Sequence, residues 1–255
     1  MKIGSYWPGN TTVPRHGTVI ILLDPDSGRL AAVVEASTVN AYRTAAADAV
    51  AADALARPDA RTLTIFGSGH QAFYECEALS KVRPIELINV VARTPAHGEA
   101  LRTRLSDAGI PSRALSAQAA CEEADIIVTA TSSTVELFEH QWVRPGTHVA
   151  SMGSDSIGKH ELPVELVLRA TLFSDLPSQS LTIGEFQHAA RAVDARQIQP
   201  TAIGSVLAAQ VAGRRSEDEI TVFDSSGLAL QDLAVATALL DAASSREGHP
   251  PQPSG

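Results

Sequence analysis

Two hydrophobic rhythms divide the chain. Near the start, apolar residues come in short β-rich runs, Thr18 to Leu23 and Leu30 to Val34. The segment Asp24-Pro25-Asp26-Ser27-Gly28 between them reads as a hairpin connection. Turn signals precede both runs, at Pro8-Gly9-Asn10 and Pro14-Arg15-His16-Gly17. Thr38 is placed to cap an alanine-dominated helix from Val39 to Ala56, which Arg57-Pro58-Asp59 ends. Beyond that point strand and helix patterns alternate. Thr62–Phe66, Ile85–Val91, Asp125–Ala130, Thr147–Ser151, Ala170–Ser174 and Glu219–Asp224 read as strands, of which Asp125–Ala130 is apolar on both faces, as in the middle of a parallel sheet. Helices are expected at Gln71–Ser80, Pro95–Asp107, Ala117–Glu123 and Leu228–Ala243, with an extended piece near Ala114-Leu115. Such alternation predicts an α/β chain with a doubly wound parallel sheet and right-handed crossovers. The Pro/Ser/Gly-rich tail, Ser244 to Gly255, is expected to be disordered.

Composition narrows the function classes. The 255 residues suffice for one large domain or two modest ones. A net charge of -9 without a Lys/Arg cluster argues against a nucleic-acid groove, and 4% aromatics against a base-stacking platform. Cys76 and Cys121 fall in helical segments without metal spacing and read as reduced, buried thiols. The eight histidines share no metal spacing either. No apolar run reaches membrane-spanning length and Met1-Lys2-Ile3-Gly4 lacks a signal-peptide core, so a cytoplasmic enzyme is expected.

The chemistry concentrates where the first central strand ends, in Gly67-Ser68-Gly69-His70-Gln71-Ala72. In this G-x-G-x-x-A pattern the first glycine permits a tight turn. The second admits a pyrophosphate to the backbone, and Ala72 lets helix and strand pack closely. Glycine-rich turns after strands are common, so the neighbours decide. They are Tyr42-Arg43-Thr44-Ala45-Ala46, the run from Gly153-Ser154-Asp155 to Lys159-His160-Glu161-Leu162, and Phe223-Asp224-Ser225-Ser226-Gly227-Leu228-Ala229. In this order, over nearly the whole chain, the four blocks resemble the ornithine cyclodeaminase/mu-crystallin family.

The resemblance implies a domain plan. Residues 1–57, completed by the helix at about 228–243, would be a partial α+β domain for substrate binding and dimerisation, and 58–227 a Rossmann-type dinucleotide-binding domain. It also implies a further segment ahead of Met1, carrying a substrate-binding arginine: by this reading either part of the substrate domain is missing or the start has been assigned too late. A homodimer follows by the same resemblance.

Individual residues carry two readings each. Arg43 is either a solvated helix arginine or, as the resemblance implies, a bidentate clamp on a substrate carboxylate. Lys2 is either a terminal surface lysine or the family's substrate lysine, which Gly4-Ser5-Tyr6-Trp7-Pro8-Gly9-Asn10 favours. Asp155, after a strand end, is either a turn aspartate or the family's acid/base residue. Lys159, Glu161 and Leu162 of the same motif fit a structural role at least as well. Ser226 and Gly227 match the loop near nicotinamide and substrate, which Asp224 is expected to order. Thr44, Ser68, His70, Gln71, Thr131 and Ser132 complete the cofactor set, and His16 is a minor substrate-side candidate. His97, His140, His160, His188 and His249 read as surface residues.

Cofactor type is read after the second strand, in Val90-Val91-Ala92-Arg93-Thr94. An acidic residue there would accept from the ribose 2′-OH of NAD, whereas a cation suits a 2′-phosphate. Arg93, aided by Thr94, therefore predicts NADP over NAD. Three functions remain open: a reductase of a small cyclic imino acid such as Δ1-pyrroline-2-carboxylate, ornithine cyclodeaminase, or a cofactor-binding protein or truncated remnant without turnover. Arg93 favours the first, because in the family cyclodeaminases an acidic residue stands at its position.

Overall fold

The computed structural model describes residues 1–7, 9–14, 16–193 and 197–247. Its contacts divide into two compact units, 1–43 with 228–255, and 44–227.

The larger unit is built on a sheet of eight parallel strands. They are β4 (Thr62–Phe66), β5 (Leu87–Val91), β6 (Ser112–Ala114), β7 (Ile126–Thr129), β8 (His148–Ser151), β9 (Thr171–Ser174), β10 (Thr201–Ala202) and β11 (Thr221–Asp224), in the order β10-β9-β11-β8-β7-β4-β5-β6. The strands bury both faces because their side chains alternate between two cores. Leu63 and Ile65 of β4, Val128 of β7 and Phe223 of β11 join one core with α2 (His70–Val82) and α3 (Pro95–Asp107). Phe66, Ile127 and Val222 join the other with α4 (Ala117–Glu123), α5 (Val164–Arg169) and α7 (Phe186–Ala192). Helices on both faces make the sheet doubly wound, as the alternation predicts. Each fully buried Leu or Phe contributes about 1.5–3 kcal/mol. The short α6 (Pro177–Ser180), α8 (Ile203–Leu207) and β10 carry too few residues for a periodic signal, and sequence reading omits them with α5 and α7.

In the smaller unit, β1 (Lys2–Tyr6), β2 (His16–Leu23) and β3 (Leu30–Glu35) form an antiparallel sheet, with β2 in the middle. The predicted hairpin turn closes with Gly28 at φ 68° and Asp24 accepting from the Ser27 amide at 2.7 Å. Ile20, Ala36 and Ala236 form a small core under α9 (Ala229–Glu247).

Three expectations need correction. Helix α1 spans Ser37–Leu55, so Thr38 lies inside its first turn instead of capping it. The compact units part within α1, after Arg43, and not at Pro58. The reason is packing: Ala51, Ala52 and Leu55 belong to the larger unit's core. Finally, α9 runs to Glu247, past the expected tail boundary at Ser244. The rest of that tail, with His249, lies outside the described residues.

Candidate active site

Parallel strands all end on one edge, and the expected dinucleotide residues other than Thr44 follow the strand ends of the larger unit there. Chain order reverses between β4 and β7, the neighbours at the sheet's switch point. Gly67 follows β4 at that point with φ 117°, and a Cβ on it would stand 2.6 Å from the Ala130 carbonyl oxygen after β7. Only glycine fits there. Gly69 is the N-cap of α2, and a Cβ on it would meet nothing within 4 Å. Backbone packed tightly at Gly67 and open space beside Gly69, at a helix start, suit a pyrophosphate. Ser68 is half-buried, His70 exposed with its ring 4.8 Å from that of Tyr74, and Gln71 donates to Glu75 at 2.7 Å. Arg93 and Thr94 are exposed just past β5, and Thr94 is the N-cap of α3 without a side-chain capping bond. Thr44 is half-buried at the edge of this unit, one turn ahead of the buried Asp48.

Glu161 organises the neighbouring loops. Its buried carboxylate accepts from Thr131 N and Oγ1 (2.7 Å each), Thr129 Oγ1 (2.8 Å), Gly153 N (3.0 Å) and Ser151 Oγ (3.2 Å). The Thr131 hydroxyl is thus committed to Glu161, while Ser132 is exposed. Asp155 stands exposed in the loop after β8, 2.5 Å from Lys159 Nζ, which also donates to the Gly153 carbonyl at 3.0 Å. The amides of Glu161 and Leu162 donate in turn to buried Glu185.

The loop after β11 is held differently from expectation. Gly227 N and Ser225 Oγ donate to Asp175 Oδ2 at 2.7 and 3.0 Å, and Gln179 Nε2 donates to Ser226 Oγ at 3.0 Å. Asp224 instead points into the core, where Ser180 donates to it. Asp175, Gln179 and Glu185 lie outside the motifs, so no sequence signal marks them. His160 and His188 are half-buried and not fully exposed, and their rings stack with centroids 3.8 Å apart.

These buried carboxyls predict a pH dependence of stability. Desolvation pushes Asp224 and Glu185 up to about 8, and Asp48, beside Glu75, up to about 7. In an unfolded chain such groups ionise near pH 4. Between about pH 4 and 8 the folded state therefore holds more protons, and stability falls as pH rises through that window. Calorimetry should give a melting temperature lower at pH 8.5 than at pH 6. The slope should flatten in Asp224→Asn, and a melting temperature that climbs with pH would contradict the assignment.

The smaller unit holds the expected substrate cations. Lys2 pairs directly with Ile20 across β1 and β2, and Ile20 packs on Ala236, so Lys2 points to the α9 face. Asp232 lies one turn before Ala236 on α9, and Asn40 and Arg43 follow Ala36 along one α1 stripe. Lys2 Nζ and Arg43 Nε each stand 3.2 Å from Asp232 Oδ1. Asn40 Oδ1 accepts from Lys2 Nζ at 3.2 Å and from Arg43 Nη2 at 3.0 Å, and Gln231 Oε1 accepts from Arg43 Nη1 at 2.8 Å. The two cations thus meet at one carboxylate. His16 is exposed at the start of β2.

Among the described residues no group of three or more His, Cys, Asp or Glu is placed to hold a metal, and no helix is long and apolar enough to cross a membrane. A cleft of about 370 Å³ lies near the start of β9, lined by Leu172, Ile198 and Arg215 among others, and contains none of the expected site residues.

A glycine turn at the switch point of a doubly wound sheet defines a dinucleotide-binding protein of Rossmann type. Comparison with known proteins narrows this. The profile of the Ornithine cyclodeaminase/mu-crystallin family matches residues 2–247, and the chain belongs to that family. It is 41% identical over 249 residues to the iminosuccinate reductase of Paracoccus denitrificans (strain Pd 1222), covering 95% of this chain and 76% of that protein. The crystal structure of the Paracoccus denitrificans enzyme in complex with NAD+ superposes with a TM-score of 0.91 at 38% identity, over 96% of this chain and 77% of that one. The Thermococcus litoralis Δ1-pyrroline-2-carboxylate reductase, in complex with NADH and L-proline, gives 0.90 at 30% identity, over 96% and 78%. An archaeal alanine dehydrogenase dimer with bound NAD gives 0.91 at 33% identity, over 96% and 78%.

Proposed function

We propose that the protein is an NAD(P)H-dependent reductase of a small imino acid, with Δ1-pyrroline-2-carboxylate, reduced to L-proline, as the first substrate to test. The observation that carries this reading is the carboxyl edge of the parallel sheet. Gly67 stands there at the switch point and Asp155 two strands away. The names of two similar proteins, iminosuccinate reductase and Δ1-pyrroline-2-carboxylate reductase, describe the same kind of chemistry.

The roles follow from each side chain. Arg43 and Lys2 bind the substrate carboxylate, two cations for one anion. Asp155 delivers a proton to the imine nitrogen, directly or through water, and Lys159 holds it in place. Gly67, Ser68, Gly69, His70 and Gln71 hold the pyrophosphate, with Thr44 beside them. Thr131, Ser132, Ser226 and Gly227 border the ribose, the nicotinamide and the substrate. A reduced dinucleotide held by these residues would supply the hydride for the imine carbon. Purified protein should oxidise NADPH only when Δ1-pyrroline-2-carboxylate is added. Turnover of L-ornithine with NAD, and none of the imino acid, would point to the cyclodeaminase instead.

NADPH is the preferred reductant in this reading, since Arg93 stands exposed past β5 and residues 90–94 contain no acid. Arg93→Asp is expected to turn the ratio of kcat/KM for NADPH and NADH toward NADH. The substitution sets a carboxylate against the 2′-phosphate and offers an acceptor to the 2′-OH. A wild-type protein that already uses NADH better than NADPH would sink the assignment.

A homodimer completes the proposal. Ile3, Leu30 and Val33 of the small sheet and Leu230 and Leu233 of α9 are exposed apolar residues in need of cover. The free, buried Cys76 and Cys121 fit a reducing, cytoplasmic setting.

A further inference from the structure

We propose that Asp232 is a positioning residue that makes Lys2 and Arg43 into a single receptor for the substrate carboxylate; this rests on the reading of those two residues given above. The geometry lies within the smaller unit. Both cations reach the same Asp232 oxygen at 3.2 Å, and Asn40 holds both from a second side. The side chains of Asp232 and Arg43 are 7% and 10% exposed, so little solvent screens their attraction.

Without the anion the two like charges would repel, with the neutral Asn40 oxygen between them in place of a counter-charge. Lys2 sits on β1, which among the described residues pairs with β2 at one edge of the small sheet, and a long side chain of this kind gains rotamer freedom in water. The Arg43 charge beside it would favour that escape. A carboxylate between the two cations removes their repulsion and fixes the Lys2 ammonium against the Arg43 guanidinium. The pair then carries a net charge of +1, the complement of one substrate carboxylate. Asp232 also explains why two cations far apart in sequence act together: the contact of Ala236 with Ile20, one turn along α9, sets its register over Lys2.

The test is steady-state kinetics of Asp232→Asn, which keeps the shape and removes the charge. At metal sites, loss of the partner that orients a ligand costs about 10–100-fold in affinity, and the same scale is expected for a partner that orients two cations. KM for Δ1-pyrroline-2-carboxylate should rise by about that factor, with kcat within about threefold and the NADPH dissociation constant unchanged. A double-mutant cycle separates positioning from a general loss of structure. If Asp232 acts through Lys2, the Lys2→Met/Asp232→Asn variant should have a KM close to that of Lys2→Met alone. An unchanged KM in Asp232→Asn, a fall confined to kcat, or fully additive losses in the cycle would each overturn the proposal. Arg43→Ala tells this failure apart from failure of the underlying reading. If that variant raises KM while Asp232→Asn does not, the carboxylate clamp stands and only the positioning role falls.

Discussion

Replacing Arg43 with alanine is expected to raise KM for the imino acid by about 30- to 4,000-fold. Loss of one partner of a close, charge-assisted contact costs about 2–5 kcal/mol, and each 1.4 kcal/mol is about tenfold. The Arg43 side chain is only 10% exposed and is held by Asn40, Asp232 and Gln231, and its loss leaves Lys2 beside Asp232 with little net positive charge for the substrate carboxylate. Helix α1 should survive, since alanine is the better helix former. Dinucleotide affinity should also survive, because the glycine turn belongs to the other compact unit. Initial rates against imino-acid concentration, beside an NADPH titration, check both halves. Wild-type kinetics in the variant would remove Arg43 from the substrate site.

Asp155→Asn is expected to act on the other kinetic parameter. It preserves the size of the side chain and a polar partner for Lys159, 2.5 Å away, but removes the proton donor. General acid catalysis by a positioned side chain is worth about 10²–10⁴, so kcat should fall by that factor while NADPH still binds. Asp155 is exposed and outside both cores of the large unit, so the melting temperature should hardly move. An unchanged kcat would assign the proton to water or to another residue.

The two variants probe residues with different standing in the sequence. Asp155 is legible because the strand before it, His148–Ser151, is a buried run and its glycine-serine loop is distinctive. Arg43 is legible only through its neighbours Thr44, Ala45 and Ala46, since a lone arginine in an alanine-rich helix is unremarkable by itself. The anions that hold these residues were not legible. Asp232 occupies an ordinary helix position, and Gln231 accepts from Arg43 across 188 residues of chain. Glu161 lay inside a recognised motif, yet the motif says nothing of its five donors from Thr129, Thr131, Ser151 and Gly153. Asp224 was read as ordering the Ser226-Gly227 loop, and the structure gives that task to Asp175 and Gln179.

The sequence by itself determined what local order can encode. Strand and helix periodicities placed β4, α3 and α4 to the residue, and the doubly wound class followed from their alternation. The glycines marked the turn after β4 because only a residue without Cβ tolerates φ 117° so close to Ala130. Tertiary structure alone decided where the compact units part, which faces the short helices α5 to α8 cover, and which carboxylates meet which cations. The physical reason is that a periodic pattern reports that a face is buried, not what buries it. A charge taken out of water needs a counter-charge or donors, and the chain supplies them from whatever distant segment the packing of Ile20, Ala36 and Ala236 brings alongside.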